Sequence, residues 1–190
     1  MVRTARFDPD DFVDAAIALV AEGGPSAATL AAIARKVGAP TGSVYHRFES
    51  RGVILAAAWL RVQGRLAAAV VPPLADGDLR GAALALVGWA RRDRVGARFL
   101  LLNDDSALLD DQPPEAERAA MEAAQTRLDA AFARALPAGA PPETLARARF
   151  LAFDGPAALL RPHLLSGDGI PDYVDRAVAD LHAALPLKAA

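Results

Sequence analysis

Alanine makes up about a quarter of this 190-residue chain, and proline and glycine interrupt it at intervals. Alanine has the highest intrinsic helix propensity of the amino acids, so the composition favours helices throughout. Between the interruptions, apolar residues recur at the three- and four-residue spacing of a helix face, and no segment alternates long enough to predict a strand. The sequence therefore predicts an all-α fold of about nine helices.

The residue types that usually carry metal or covalent chemistry are scarce. The chain has no cysteine, which excludes disulfides, thiolate metal sites and thiol catalysis. The three histidines, His46, His163 and His182, are too scattered to predict a metal centre. The acidic pairs at 104–105 and 110–111 are typical of a solvated loop, because Mg²⁺ and Ca²⁺ need several oxygens in a defined geometry. Since no phosphate-binding glycine loop or catalytic serine motif occurs either, we expect no metal, no cofactor and no enzymatic activity.

Targeting and membrane signals are also missing from the sequence. Two early arginines are followed directly by Asp8, Asp10 and Asp11 rather than by the apolar stretch of a signal peptide. The most apolar run, 66–75, is broken by Pro72 and falls short of the ~18 apolar residues of a membrane span. We expect a cytoplasmic protein without a membrane partner.

Capping and breaking residues predict where the helices begin and end. Asp8-Pro9 starts the first helix, and Thr29 caps a short second helix that Gly38 ends. A third short helix runs from about 41 to 48, and a long helix covers 51–71 before a linker that begins at Pro72-Pro73. The remaining predicted helices are 79–92, 94–102, 114–136, 143–165 with a kink at Pro156 or Pro162, and 171–185.

Residues 29–48 form the most informative segment. Two short helices are separated by a tight turn with glycine, which is the pattern of a helix-turn-helix. The small side chain of Ala34 allows the helices to cross closely, and Gly38 can adopt the left-handed conformation of the turn. The expected inward stripe consists of Ile33, Val37, Val44 and Phe48. The residues expected to face outward on the second of these helices are Thr41, Gly42, Ser43, Tyr45, His46 and Arg47.

Positive charge is concentrated in this segment, although the whole chain carries a net charge of −2. Between 29 and 51, four basic residues stand against the single acid Glu49, which gives a local charge of +3. These basic residues are Arg35, Lys36, Arg47 and Arg51. Basic side chains hold phosphates, and the second helix of a helix-turn-helix enters the major groove. The placement of charge therefore predicts double-stranded DNA as a partner.

A long ordered pattern runs from Phe12 to Trp59. Its residues are Ala15-Ala16, Leu19, Glu22-Gly23, Thr29-Leu30, Ile33-Ala34, Val37-Gly38, Gly42-Ser43-Val44-Tyr45, Phe48, Ser50-Arg51 and Ile54-Leu55. This pattern closely resembles the tetracycline-repressor-like (TetR) family of bacterial transcriptional regulators. The resemblance implies a helix-turn-helix DNA-binding domain at 1–52 and a helical effector-binding and dimerisation domain at 53–190. It also implies a homodimer that represses from a palindromic operator and is released by a small-molecule effector.

The resemblance also implies roles for single residues. Thr29, Tyr45, His46 and Arg51 match positions that contact phosphates, and Thr41 and Ser43 match positions that contact bases and backbone. The candidate DNA-binding residues are Thr29, Arg35, Lys36, Thr41, Gly42, Ser43, Tyr45, His46, Arg47 and Arg51. Arg3 and Arg6 belong to an N-terminal arm that could reach the minor groove or the backbone. Two positions depart from the family: Pro40 replaces a common capping serine, which predicts a shifted start of the recognition helix, and Gly52 replaces a common acid.

The remaining helices are expected to hold the effector and a second subunit. Polar and aromatic residues set among apolar ones can line a pocket, and the candidates are Trp59, Trp89, Phe99, Asn103, Gln125, Phe150, Phe153 and His163. For each of these taken singly, a place in an ordinary core or surface is the commoner role. The candidate dimer-interface residues are Leu145, Leu151, Leu159, Val174, Val178 and Leu181. The same stripes could instead close the domain's own core, and each stripe could also serve both roles.

Two other functions stay open on the sequence alone. A helical small-molecule-binding protein without DNA function could use the basic helix as a protein interface, and an absence of DNA affinity at low salt would favour it. A helical enzyme would have to turn over a bound metabolite, and no set of residues recommends one.

Overall fold

The protein is all-α in a computed structural model that describes residues 7–103 and 112–186, and these residues contain nine helices and no strand. The helices are α1 (Pro9–Gly23), α2 (Leu30–Val37), α3 (Gly42–Tyr45), α4 (Arg51–Ala75), α5 (Leu79–Arg92), α6 (Arg94–Leu101), α7 (Glu115–Arg134), α8 and α9 (Tyr173–Ala184). Helix α8 is a continuous rod composed of Pro142–Arg149, a π-helical turn at Phe150–Asp154, and Gly155–Ser166. The predicted fold class is therefore confirmed.

The ends of the first two helices follow the local signals in the sequence. The carboxylate of Asp8 accepts a hydrogen bond from the backbone N–H of Asp10 at 3.0 Å, which caps α1. The hydroxyl of Thr29 accepts from the N–H of Ala32 at 3.1 Å and caps α2 in the same way. Gly38 ends α2 in the left-handed conformation, with φ of 74°. Capping chemistry thus sets the start of the helix-turn-helix.

Helix α4 runs past the point where the sequence predicts a linker. Pro72 and Pro73 lie inside its last turn, and the helix ends only at Ala75. The φ angle of proline is compatible with a helix, so the pair removes two hydrogen bonds without forcing a break at the helix end. Leu74 lies in the next position and is fully buried. Burying this side chain offsets the loss of the hydrogen bonds, and the predicted end at residue 71 is wrong by a full turn.

Helix α8 also departs from the prediction. Its irregularity is a π-helical turn at Phe150–Asp154 rather than a kink at a proline. The N–H of Gly155, the next residue, donates to the carbonyl of Phe150, five residues earlier. Pro156 comes after Gly155 and has no N–H to continue the regular pattern. Pro162 lies inside the following α-helical stretch without ending it. The turn rotates the C-terminal half of α8 relative to the first half.

Helix α4 is the central element of the fold and packs against α1, α5, α6 and α7. Its most apolar window has a mean hydropathy of 1.4, which meets the length and composition of a membrane span. Half of that window is buried inside the protein, and the core helix of a soluble protein meets the same criteria. Contacts within the fold therefore account for the apolar character of α4.

Three arginines of α5 and α6 hold the C-terminal end of α8 and the loop that follows it. Arg91 donates to the carbonyls of Ile170 at 3.2 Å and Pro171 at 2.9 Å, and to the carboxylate of Asp175 at 3.0 Å. The hydrogen bond with Asp175 raises the pKa of Arg91. Arg94 and Arg98 donate to backbone carbonyls at the end of α8. Cations at this end complement the helix dipole and fix α8 and α9 against α5.

Candidate nucleic-acid interface and ligand cavity

The helix-turn-helix is built on a buried stripe, as the sequence predicts. Ile33, Ala34 and Val44 are fully buried, and the partly buried Val37 and Phe48 pack against the same core. The N–H of the residue after Gly38 donates to the carbonyl of Ala34 at 2.9 Å, which tightens the turn. The stripe therefore orients α3 with its opposite side towards solvent.

Most of the predicted DNA-contacting residues lie on that solvent side. The exposed ones are Thr29, Arg35, Lys36, Thr41, Gly42, Tyr45 and His46. Tyr45 is 63% exposed, which is unusual for an aromatic residue of a short helix with a buried neighbour. In the part of the chain that the structure describes, Arg35 has no hydrogen bond or ion pair. Lys36, in contrast, pairs with Glu22 of α1 at 3.0 Å.

Arg47 is folded back onto its own domain and does not face outward as expected. Its guanidinium donates to the carbonyl of Ser43 at 3.0 Å and to that of Phe7 at 3.2 Å. It also lies over the ring of Phe12, 5.6 Å from the centroid. A residue with these contacts holds α3 against α1, so Arg47 positions the recognition helix.

Arg51 also turns inward, at the start of α4. Its Nε donates to the carbonyl of Ala28 at 2.9 Å, and its terminal nitrogen donates to the carbonyl of Pro25. These carbonyls belong to the connection between α1 and α2, which includes a short 3₁₀ turn at Pro25–Ala27. The structure thus gives Arg51 a bracing role beside the phosphate contact that the resemblance implies.

Helix α3 is shorter than predicted, and it begins one residue later, in line with the shift predicted from Pro40. It covers only Gly42–Tyr45 instead of 41–48, and Thr41 precedes it without a side-chain cap. The N–H of Ser43 donates to the carbonyl of Pro40 at 2.8 Å, so a single turn leads into the helix. The N–H of Phe48 donates to the carbonyl of Val44 at 2.9 Å, which extends the helical path by an irregular turn.

Ion pairs join the helix-turn-helix to the rest of the chain. Arg61 of α4 pairs with Asp14 at 2.7 Å and with Asp10, both on α1. Burial lowers the pKa of Arg61, but hydrogen bonds to Asp14 and Asp10 outweigh it, and the pKa is raised overall. Arg98 of α6 donates to the carbonyl of Ala21 near the end of α1 at 2.8 Å. Helices α4 and α6 are therefore joined directly to α1, the helix against which α2 packs.

A cavity of about 270 Å³ lies between α4, α5, α6, α7 and α8, and we name it the central cavity. Its aromatic lining residues are Trp59, Phe132 and Phe153. Its polar lining residues are Gln63, Asn103, Gln125, Asp129, Arg149 and Asp154. Leucine and alanine side chains form the remainder of the wall. A mostly apolar cavity with a few polar groups is the usual form of a small-molecule site.

The predicted ligand residues divide into two groups. Trp59, Asn103, Gln125 and Phe153 line the central cavity, whereas Trp89, Phe99, Phe150 and His163 do not. Trp89 is buried beside a separate surface depression, and Phe99 is fully buried in the core. Phe150 is 40% exposed. His163 exchanges a 2.8 Å hydrogen bond with the hydroxyl of Tyr173.

Several cavity residues were not predicted from the sequence. Gln63 is the sole buried polar residue among those the structure describes, with 4% of its surface exposed. A glutamine inside the apolar stretch of α4 is a signal that could have identified it. Asp129 and Asp154 carry no such signal, because exposed acids are ordinary on helix surfaces. Their place at the cavity depends on the packing of α7 and α8 around α4.

The predicted dimer residues also divide. Leu151, Val174 and Val178 are buried in the chain's own core, so they do not face a second subunit as expected. Helices α8 and α9 use this stripe to pack against α5. Leu159 and Leu181 are partly buried, and Leu145 is 39% exposed. Exposed apolar side chains on these helices and at their ends are Leu145, Phe150, Leu165 and Tyr173.

Some sequence predictions fall outside the described residues. These are the N-terminal arm with Arg3 and Arg6 and the acidic pairs at 104–105 and 110–111. Within residues 7–103 and 112–186, no group of three or more histidine, aspartate or glutamate side chains is arranged to hold a metal ion.

The helix-turn-helix region matches a known family. Residues 12–58, from α1 into α4, match the model of the bacterial regulatory proteins of the tetR family. The chain carries the DNA-binding segment of the tetR family. This match supports a DNA-binding transcriptional regulator. The comparison with curated proteins finds no match.

Solved structures share the fold of this chain along almost its whole length. A TetR-like transcriptional regulator from Rhodococcus sp. RHA1 has a TM-score of 0.67 at 19% identity, covering 97% of this chain and 100% of that one. The multidrug binding protein EbrR, complexed with imidazole, has a TM-score of 0.59 at 22% identity, with coverage of 97% and 98%. SmeT, the repressor of the Stenotrophomonas maltophilia multidrug efflux pump SmeDEF, has 0.58 at 21%, with coverage of 94% and 90%.

Proposed function

We propose that this chain is a cytoplasmic repressor that binds a palindromic operator as a homodimer and is released when a small molecule enters the central cavity. Residues 1–52 form the DNA-binding domain, and 53–190 form the effector-binding and dimerisation domain. The observation that carries the proposal is the two-sided helix-turn-helix, with Val44 fully buried and Tyr45 63% exposed on the same short helix. SmeT, which shares the fold, is a repressor, and this supports the same direction of control.

The exposed face of the helix-turn-helix supports an assignment of contacts. Thr41 and Ser43 precede and begin the recognition helix, where side chains reach base edges in the major groove. Tyr45, His46 and Thr29 are assigned to phosphates, because their side chains are exposed and can donate hydrogen bonds. Arg35 adds a cation that is not neutralised by a described partner. Arg47 and Arg51 stabilise the domain through hydrogen bonds to backbone carbonyls. Lys36 forms an ion pair with Glu22.

A second copy of the chain is the partner that fits this interface. A single helix-turn-helix contacts few bases, and two-fold symmetry doubles the footprint on a palindromic site. Apolar side chains remain exposed on the outer face of α8 and at the ends of α8 and α9, with Leu165 at 59% and Tyr173 at 49%. We place the dimer interface on this face, since the inner face of both helices is already covered by the chain's own core.

The route from ligand to DNA runs through helices that touch both. Asn103 lines the central cavity and donates to the carbonyls of Arg98 at 3.2 Å and Phe99 at 2.9 Å, at the end of α6. The side chain of Arg98 in turn donates to Ala21 of α1. If α6 can adopt two positions, a ligand that binds more tightly to one of them increases its population. Because α6 contacts α1, the DNA-binding domain then shifts with it. The spacing of the recognition helices then no longer matches successive major grooves, ~34 Å apart.

Replacing Arg35 by glutamine is expected to weaken DNA binding and to make it less sensitive to salt. Each lost phosphate contact lowers the slope of log K against log salt by about 0.9, and a dimer loses two of them. Fluorescence anisotropy on one labelled duplex, at several salt concentrations, measures the slope. Arg80→Gln on α5 is the matched control, because it removes the same charge from an exposed site away from the helix-turn-helix. If the Arg35→Gln variant and the control have the same slope, Arg35 does not contact a phosphate.

Substitutions at Tyr45 and at Thr41 are expected to change DNA binding in different ways. Tyr45→Phe removes a hydroxyl assigned to a phosphate, so affinity falls by at least about tenfold for every duplex alike, as expected for a hydrogen bond to a charged group. Thr41→Val or Ser43→Ala changes the preferred bases instead. Selection of bound sequences from a random duplex pool reads out both effects. An unchanged base preference in the Thr41 and Ser43 variants would show that readout is assigned to the wrong side chains.

A further inference from the structure

We propose that the central cavity binds a small organic cation with an aromatic body, with the cationic group at the mouth and the ring inside. This inference rests on the proposed function in taking the cavity as the effector site. It adds the chemical class of the ligand, which the charges and the rings of the wall determine together.

The charged groups of the wall favour a cation. Among the described residues that line the cavity, Asp129 and Asp154 stand against one cation, Arg149, which leaves one net negative charge. All three residues are exposed, so they form the mouth. Arg149 forms no ion pair with either acid in the described structure, and Asp154 accepts no hydrogen bond there. An entering cation therefore meets a carboxylate that is not already neutralised, whereas an anion meets two carboxylates.

A chain of amides fixes one of these carboxylates in place. The buried Gln63 donates to the side-chain carbonyl of Gln125 at 3.4 Å. Gln125 in turn donates to the carboxylate of Asp129 at 3.0 Å. Asp129 is thus held at the mouth by a chain of hydrogen bonds that begins at the buried amide of Gln63.

The interior of the cavity offers aromatic faces. The rings of Phe132 and Phe153 meet edge to face, with centroids 5.7 Å apart and planes at 60°. Trp59 lies in the same wall and is 4% exposed. Aromatic faces attract cations and pack against aromatic ligands. Quaternary ammonium groups are cations that proteins commonly bind in this way.

The π-helical turn of α8 places an acid and a ring side by side. Phe153 and Asp154 are consecutive residues, and both line the cavity. The volume of about 270 Å³ lies just below the usual range for ligand pockets, so it suits a ligand with one ring rather than a large drug.

Two charged probes of similar size test the ligand class in the full chain. Benzyltrimethylammonium carries a positive charge next to a ring, and benzylsulfonate carries a negative charge there. Calorimetric titration is expected to show saturable binding of the cation and at least tenfold weaker binding of the anion. Equal binding of both probes, or tighter binding of the sulfonate, would overturn the proposal.

Charge-neutral variants locate the effect. Asp129→Asn and Asp154→Asn are each expected to weaken cation binding by about three- to fivefold, the range of a partly exposed charge pair, and Arg149→Gln to strengthen it. Glu122→Gln is the matched control, because Glu122 is an exposed acid of α7 that does not line the cavity. If both aspartate variants bind the cation as the control does, the cavity is not the site and the inference fails.

The same preparations separate this inference from the proposed function. DNA affinity is measured on a selected duplex with and without the cation. Cation binding in a protein that does not bind DNA supports the cation site and overturns the proposed function. DNA binding without discrimination between the two probes overturns the cation site alone.

Discussion

Phe12→Ala is expected to lower the free energy of unfolding by about 3–5 kcal/mol, the usual cost of removing a fully buried phenylalanine. Phe12 is completely buried in α1. Its ring meets those of Phe7 and Phe48 edge to face, with centroid distances of 6.5 Å and 6.1 Å. The guanidinium of Arg47 covers another side. The cavity left by alanine therefore removes the support on which α3 rests, and chemical denaturation measures the loss.

Tyr45→Ala is the control for this result. It deletes an aromatic side chain of the same domain that is 63% exposed, so the free energy of unfolding should change by no more than about 0.5 kcal/mol. DNA affinity should nevertheless fall in this variant. A loss below about 1 kcal/mol for Phe12→Ala, well under the usual range for such a site, would show that the aromatic cluster does not hold the helix-turn-helix together.

Arg91→Ala is expected to cost about 2–3 kcal/mol of unfolding free energy, because hydrogen bonds that involve a charged group contribute about 1.5–3 kcal/mol. The guanidinium joins α5 to two carbonyls of the loop before α9 and to the carboxylate of Asp175. Removing it leaves three acceptors without their donor. Denaturant titrations of the variant and the parent protein at the same protein concentration give the difference.

Arg92→Ala provides a neighbouring control of identical chemistry. Arg92 is exposed, and it has no hydrogen bond or ion pair among residues 7–103 and 112–186. We expect its replacement to change stability by less than about 0.5 kcal/mol. Equal effects of the two replacements would mean that Arg91 acts only through the net charge of α5. They would refute the claim that its hydrogen bonds hold α9 against α5.

The helix-turn-helix could be predicted closely because its signals are local. A helix cap at Thr29, a left-handed glycine at Gly38 and a stripe that includes Ile33 and Val44 each depend on neighbouring residues, and each is present in the structure. The same reasoning did not find the roles of Arg47 and Arg51. Whether a long basic side chain points to solvent or to a backbone carbonyl depends on groups far away in the sequence, such as the carbonyl of Phe7.

The rest of the chain, from α4 onward, could be predicted only as a set of helices. Periodicity identifies which residues of α8 and α9 are apolar, but the same stripe can face the chain's own core or a second subunit. Leu151 and Val178 turned out to face the core. The central cavity was likewise found only in part, since a cavity is defined by what several helices leave empty between them. Acids such as Asp129 become functional candidates only once α7 is placed beside α4 and α8.

Selection of random duplex DNA by the full chain tests the central claim most directly. The account predicts enrichment of a palindrome whose half-sites lie one helical turn, about 34–36 Å, or a multiple of it apart, with affinity that falls steeply as salt increases. Such a result requires both a recognition helix and a symmetric dimer. If no sequence is enriched even at low salt, the chain does not act as a sequence-specific DNA-binding protein, and the proposed function is contradicted.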